Sequence, residues 1–264
     1  MNAPFDTCVR VGGVGVGLST SSDAFAGILA KRFAGFMEPA GEADYLFDVE
    51  VVEARDDASD EDVRVWREEG LWRIERGDFR AVLDPRTRRG RIRQHANPYS
   101  VDSLLRIVHT IALADEGGFL LHAASVVRGG RAQVFTGASG AGKTTLSRLA
   151  PPDTHVLTDE ISYLRREDTG YVAYGTPFSG ELGVPGANVS APLAAIHLLA
   201  QGPENRVEDV APAAAARAIL GNVLFFAEDA MLVRRVFAAV LDAVERVPVR
   251  CLTFVPDESV WEVL

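Results

Sequence analysis

Residues 137–144 read GASGAGKT and satisfy the phosphate-loop pattern G-x-x-x-x-G-K-[ST]. An apolar, strand-like run, Ala132–Thr136, precedes this loop, and a helix-forming run follows it as far as Pro151-Pro152. Glycines allow consecutive backbone N–H groups to point at phosphate oxygens, and the dipole of the following helix favours the same anion. The stretch therefore predicts a nucleotide-binding α/β domain.

Two side chains of the loop have expected roles in nucleotide binding. Lys143 is one of only two lysines among the 27 basic residues, the other being Lys31. The lysine of this motif contacts the β- and γ-phosphates, and the hydroxyl that follows it, here Thr144, binds Mg²⁺. The predicted ATP-binding residues are Gly137, Ala138, Ser139, Gly140, Ala141, Gly142, Lys143, Thr144 and Thr145.

Acidic side chains follow the next apolar strand, which ends at Thr158. Asp159 and Glu160 come directly after it, and carboxylates at this position can reach Mg²⁺ directly or through water. We therefore expect Thr144, Asp159 and Glu160 to be the metal ligands. His122, inside the apolar run Phe119–Val127, is a candidate catalytic residue, although a single histidine in such a run is also typical of a buried structural residue.

The chain as a whole is predicted to contain two domains. Alternation of polar and apolar residues between Tyr45 and Leu83 predicts an antiparallel meander, preceded by a helix that begins at Ser22 or Asp23. The double glycine Gly117-Gly118 follows an amphipathic helix and marks the boundary. The sequence thus predicts a small α+β domain over 1–117 and a P-loop kinase-like domain over 118–264.

The composition excludes several classes of protein. Hydrophobic residues make up 47% of the 264 residues and charged residues 24%, which is typical of a globular protein. The net charge of −10 gives no basic surface for nucleic acid or an anionic membrane. No apolar run reaches the ~18–20 residues of a membrane helix. Cys8 and Cys251 lie outside any CxxC motif and no secretory signal precedes them, so we expect a cytoplasmic location.

His122, the phosphate loop and Asp159-Glu160, in this order, resemble the core of the HPr serine kinase/phosphorylase family. The arrangement is similar to that of ATP-dependent phosphoenolpyruvate carboxykinase, which shares this P-loop fold, and the resemblance covers Phe119–Tyr163. It implies a kinase domain that uses ATP and Mg²⁺. It further implies that Asp159 takes the proton of the acceptor serine, that Glu160 lies at the metal and that His122 assists the acid. A homo-oligomer is also compatible with it.

Together these features predict a Mg²⁺/ATP-dependent kinase that transfers the γ-phosphate to a serine-type hydroxyl on a peptide or small protein. The predicted catalytic residues are Asp159, His122 and Lys143. The turn-rich segment Thr176–Glu181 forms either a lid or acceptor wall, with Glu181 as a candidate site residue, or a plain surface connection. Two alternatives remain open: a small-molecule kinase acting on a hydroxy amino acid, and a nucleotide-responsive binding module without phosphotransfer.

Overall fold

The computed structural model describes residues 5–39, 41, 43–53 and 62–264. The fold is mixed α/β with two large β-sheets and few helices, so the predicted class is confirmed at this level. The described residues form two compact units, one up to Ala112 together with Phe225–Val233, the other Leu113–Leu224 together with Arg234–Leu264. The predicted domain division at residue 117 stays a prediction. None of the helices in these ranges is long and apolar enough to cross a membrane.

The first unit contains an eight-stranded sheet with strand order β3-β1-β2-β4-β8-β7-β6-β5. Its elements are β1 (Phe5–Val11), β2 (Val14–Thr20), α1 (Asp23–Arg32), β3 (Met37–Pro39), β4 (Tyr45–Val52), β5 (Arg64–Glu68), β6 (Leu71–Arg76), β7 (Phe79–Asp84), β8 (Arg89–His95) and α2 (Tyr99–Asp115).

Local signals explain most of these elements. The Ser22 hydroxyl accepts the Phe25 N–H and caps α1, as predicted, and α1 buries Phe25 and Leu29. Strands β5 to β8 form an antiparallel meander. The prediction that β4 belongs to this meander is wrong, because β4 runs parallel to both β2 and β8. Alternation of polar and apolar residues indicates which face of a strand is exposed to solvent. It does not indicate whether the strand runs parallel or antiparallel to its neighbours.

The second unit contains the other sheet and the predicted phosphate loop. Its elements are β9 (Phe119–Arg128), β10 (Arg131–Thr136), α3 (Lys143–Arg148), β11 (His155–Thr158), β12 (Ile161–Glu167), β13 (Gly170–Tyr174), β14 (Ser190–Gln201), β15 (Arg206–Asp209), α4 (Pro212–Leu220), α5 (Ala230–Arg246), β16 (Val249–Phe254) and a 3₁₀ turn (Glu258–Glu262).

Strand β9 organises this sheet. Its first half pairs antiparallel with β12 and its second half pairs antiparallel with β10 and β11. Strand β10 also pairs in parallel with β14, which in turn pairs with β13 and β16. Since β13 pairs with β12, the pairings among β9, β12, β13, β14 and β10 form a closed ring. This arrangement brings the carboxyl ends of β10 and β11 beside the middle of β9, where Thr136 lies opposite Ala123 and Thr158 opposite Ser125.

A buried apolar cluster supports the loop that follows β10. Phe135 of β10, Leu146 of α3, Phe254 of β16 and Trp261 of the 3₁₀ turn belong to this cluster, and the rings of Phe135 and Trp261 meet edge to face at a centroid distance of 5.8 Å. The loop therefore rests on close-packed side chains rather than on other loops.

Candidate functional site

The loop between β10 and α3 takes a conformation that only glycine adopts easily. Gly140 and Gly142 have φ angles of 76° and 108°, in the left-handed region. A Cβ added to Gly142 would lie 2.5 Å from Cζ of Phe254, so the absence of a side chain is also a packing requirement. The Gln201 side-chain amide donates to the Gly140 carbonyl at 3.0 Å and holds the tip of the loop.

Lys143 begins α3 and turns back over the loop. Its Nζ donates to the carbonyl oxygens of Gly137 at 3.0 Å and Ala138 at 3.3 Å. Burial lowers the pKa of Lys143, while the negative charges of Glu160 and Glu181 oppose that shift. Helix α3 has only six residues, so the dipole that was expected to favour the same anion is that of a short helix.

A tight turn after β11 presents the two acidic side chains. The buried hydroxyl of Thr158 accepts the N–H groups of Glu160 and Ile161, both at 3.1 Å, and donates to the Phe178 carbonyl at 3.3 Å. This hydroxyl thus fixes the turn and ties it to the segment around Phe178.

Asp159 is buried and holds a neighbouring loop. Its Oδ1 accepts the Gly180 N–H at 2.9 Å and its Oδ2 accepts the Leu182 N–H at 2.8 Å. These two bonds place Glu181, which lies between the donors, at the cavity. The segment Thr176–Glu181 therefore forms a wall of the site through Glu181.

The pairing of β9 with β12 brings His122 and Glu160 together. Ile161 is opposite His122 in the antiparallel register, and the Ala123 N–H donates to the Glu160 carbonyl at 3.1 Å. Nε2 of His122 lies 3.9 Å from Oε2 of Glu160, and the two side chains are 38% and 34% exposed. Both side chains can therefore meet a molecule that enters from solvent.

One cavity of about 360 Å³ collects most of the predicted site residues. The predicted ATP-binding residues Gly137, Ala138 and Ala141 do not line it, and the first two instead present their carbonyls to Lys143. Every predicted catalytic residue and metal ligand does line it. The lining residues are His122, Ser139, Gly140, Gly142, Lys143, Thr144, Thr145, Asp159, Glu160 and Glu181.

The donor set of the cavity suits Mg²⁺ bound together with phosphate. The residues that the structure describes include no group of three or more His, Cys, Asp and Glu arranged to hold a metal. Mg²⁺ is commonly bound by one or two carboxylates plus substrate phosphates and waters, and it needs no cage made by protein alone. Thr144, Asp159 and Glu160 offer oxygen ligands of this kind.

Sequence reasoning missed the groups that organise the acids. Thr158 and the N–H groups of Gly180 and Leu182 act through the backbone or through a local turn, and no residue pattern marks them. The only available signal was the turn-rich composition of Thr176–Glu181, which indicates a loop without indicating which strand end it contacts.

Comparison with known proteins identifies the family of the chain. A family model described as SynChlorMet cassette protein ScmC matches residues 94–264, well over half of the 264 residues. No curated protein matches the chain. The assignment to the HPr kinase/phosphorylase family is wrong, because the matching model is a different one and short motifs shared among phosphate-binding loops do not define a family. The chain belongs to the SynChlorMet cassette protein ScmC family.

Proposed function

We propose that the chain is a Mg²⁺/ATP-dependent phosphotransferase built on a P-loop nucleotide-binding domain. Its acceptor is a serine-type hydroxyl on a peptide or small protein. One observation carries the proposal: a single cavity joins the loop of residues 139–145 to the side chains of Asp159, Glu160, Glu181 and His122. Phosphoryl transfer requires mainly positioning and charge neutralisation, and the cavity contains groups for both.

The loop side of the cavity is suited to phosphate. Lys143 is its one ammonium group, and in the structure this group uses loop carbonyls as acceptors. Phosphate oxygens are better acceptors for an ammonium than neutral carbonyls, because both partners are then charged. We expect Lys143 to exchange these carbonyls for phosphate oxygens when a nucleotide binds.

The acidic side of the cavity requires a cation beside the nucleotide. Asp159, Glu160 and Glu181 place three carboxylates near one lysine, so a polyphosphate alone would meet net repulsion. Mg²⁺, when bound, supplies positive charge between these carboxylates and the phosphates. Thr144, Asp159 and Glu160 are the residues we assign to hold it.

We propose that the Asp159 carboxylate is the general base that takes the proton of the acceptor hydroxyl. Each of its carboxylate oxygens accepts one backbone N–H, and each has a second lone pair for another donor. The two bonds fix the direction of the carboxylate before any acceptor arrives, as general base catalysis requires. His122 and Glu160 form the neighbouring edge of the same cavity.

The two lysines of the chain provide a matched test of nucleotide binding. Lys143→Ala removes the ammonium of the cavity, and we expect the affinity for Mg²⁺-ATP to fall by roughly tenfold or more in isothermal titration calorimetry. Lys31→Ala removes an exposed ammonium on α1 and should bind as the wild type does. Wild-type affinity in Lys143→Ala, or no binding by the wild type, would contradict the proposal.

A transfer experiment separates the alternatives that the sequence left open. The enzyme is incubated with γ-labelled ATP and Mg²⁺, in one arm with a library of serine-containing peptides and in another with free serine and threonine. Label on peptides supports the proposal, whereas label on the free amino acids favours a small-molecule kinase. Nucleotide binding without transfer in either arm would indicate a binding module.

The same assay tests the role of Asp159. We expect Asp159→Asn to lose transfer even at saturating Mg²⁺-ATP, because an amide cannot take the hydroxyl proton. Transfer at the wild-type rate in this variant would show that the proton goes elsewhere.

A further inference from the structure

Helix α5 has exposed apolar side chains along one face. Phe237 and Leu241 are one turn apart and are 47% and 40% exposed. Val244, the next residue along this stripe, is half-buried. Large apolar residues that recur every three or four positions on one face are typical of a helix that packs against another helix.

Contacts on its other faces fix the orientation of α5, so Phe237 and Leu241 stay on its exposed face. Val236, Val240 and Ala243 are buried. The Tyr171 hydroxyl oxygen lies 2.9 Å from the Ala239 carbonyl oxygen and 3.1 Å from the Asp242 carboxylate, so its proton is within reach of both acceptors on α5. The helix cannot rotate Phe237 and Leu241 inward without breaking this packing.

Two charges of opposite sign flank the stripe on the same side. Arg234 lies near the start of the helix and Glu245 near its end, eleven residues or about three turns later, so both fall on one flank of the stripe. Both are exposed, and neither forms a salt bridge within the part of the chain that the structure describes. Arg235 and Arg246, in contrast, pair with Asp115 and Asp242.

We propose that two copies of this chain associate through α5, packed antiparallel about a two-fold axis between Phe237 and Leu241. In an isologous interface each residue meets its counterpart across the axis, so Phe237 of one copy packs on Leu241 of the other. The same flank of both helices comes together in an antiparallel pair, which brings Arg234 beside Glu245 twice. The charges of one helix thus complement those of its own second copy.

Sedimentation velocity over about 1–200 µM protein tests the association, a range chosen because one helix pair forms a small interface. We expect the wild type to shift from monomer towards dimer with rising concentration. Phe237→Glu should weaken the dimer by more than roughly tenfold, since it replaces the apolar ring of Phe237 with a charge in both copies. A monomer throughout this range, or a Phe237→Glu variant that dimerises normally, would overturn the proposal and leave the stripe to a different protein.

A charge-reversal cycle tests the pairing itself. Arg234→Glu and Glu245→Arg should each weaken the dimer by roughly tenfold, because two attractive pairs become repulsive, and the double variant should restore it. Arg131→Glu, a reversal at an exposed residue outside α5, is the control and should have no effect. Failure of the double variant to recover would refute the antiparallel arrangement. Nucleotide binding should be unchanged in all of them, because none of these residues lines the cavity.

Discussion

Gly180 occupies a position of the candidate site where an added side chain would press on both acids. A Cβ added there would lie 2.7 Å from Oε2 of Glu160 and 3.0 Å from Oδ2 of Asp159. The Gly180 N–H is also one of the two donors that hold Asp159. Geometry at this residue therefore affects both acids at once.

Gly180→Ala should reduce phosphotransfer by roughly tenfold or more, because displaced catalytic groups lose rate steeply with distance. Its free energy of unfolding should change little, since Gly180 is only half-buried and the nearest atom to the added Cβ is the free end of the Glu160 side chain. The measurement is the initial rate of transfer from labelled ATP beside a urea unfolding curve.

Gly27→Ala is the matched control for this substitution. Gly27 lies within α1, and an added Cβ would meet no atom within 4 Å. We expect wild-type transfer and a gain in stability of about 0.5–1 kcal/mol from the higher helix propensity of alanine. Unchanged transfer in Gly180→Ala would show that the close contact with the acids has no part in the reaction.

At the scale of elements, local patterns were sufficient for those that depend on neighbours in sequence. The cap of α1, the amphipathic helix α2 and the strand, loop and short helix around Lys143 follow from such patterns. Helix α4 ends at Leu220, because Gly221 follows and Val223 then bridges to Leu121 of β9. Propensity could not indicate that bridge, since its partner is about a hundred residues away.

In the candidate site, too, features that depend on neighbours in sequence could be predicted and features that depend on distant contacts could not. Lys143 and Asp159-Glu160 could be found because the loop and the strand end are sequence motifs. The pairing of His122 with Glu160 depends on the antiparallel register of β9 and β12, and β12 escaped prediction altogether. The first four residues of β12 are buried, and Arg165 and Arg166 follow them directly. These two charged residues obscure the apolar pattern of the strand.

The contact of β14 with β10 gives the protein an acid-sensitive point. His197 of β14 is buried, its Nε2 lies 2.9 Å from Gln133 Oε1, and its ring stacks on Phe135 of β10. Burial, together with nearby Arg250, lowers the pKa of His197 from 6.5 to about 4. The unfolded chain therefore binds a proton at a higher pH than the folded chain, and stability is lost as the pH falls from about 6.5 towards 4.

His197→Gln should reduce this pH dependence. A shift of this size contributes about 2 kcal/mol to the difference in unfolding free energy between pH 7.5 and pH 5, and the variant should lack that contribution. Urea unfolding at the two pH values measures it. His155→Gln removes an exposed histidine and should leave the pH dependence as it is; equal behaviour of the two variants would contradict the explanation.

At the scale of the whole molecule, the net charge of −10 opposes the binding of any anion. The cavity adds to this effect, because three of its lining residues are carboxylates. The phosphate loop alone should therefore bind ATP weakly, and a divalent cation should be needed for tight binding.

Removal of Mg²⁺ with EDTA at constant ionic strength should weaken ATP binding by roughly tenfold or more, which corresponds to about 1.4 kcal/mol. Glu181→Gln deletes one negative charge from the cavity and should recover part of the lost affinity in EDTA. Calorimetric titration with and without Mg²⁺ measures both effects. Equal affinity in Mg²⁺ and EDTA would exclude a cation between the acids and the phosphates.

Strand β9 limits how this protein can be altered by evolution or by an engineer. It pairs with β10, β11 and β12 at once, and a slip of one residue would turn His122 to the opposite face of the sheet. Extra length is tolerable at the Gly129-Gly130 turn, where an added Cβ meets nothing within 4 Å. Insertions thus belong in that turn, while the strand itself can change only by exchanging one amino acid for another.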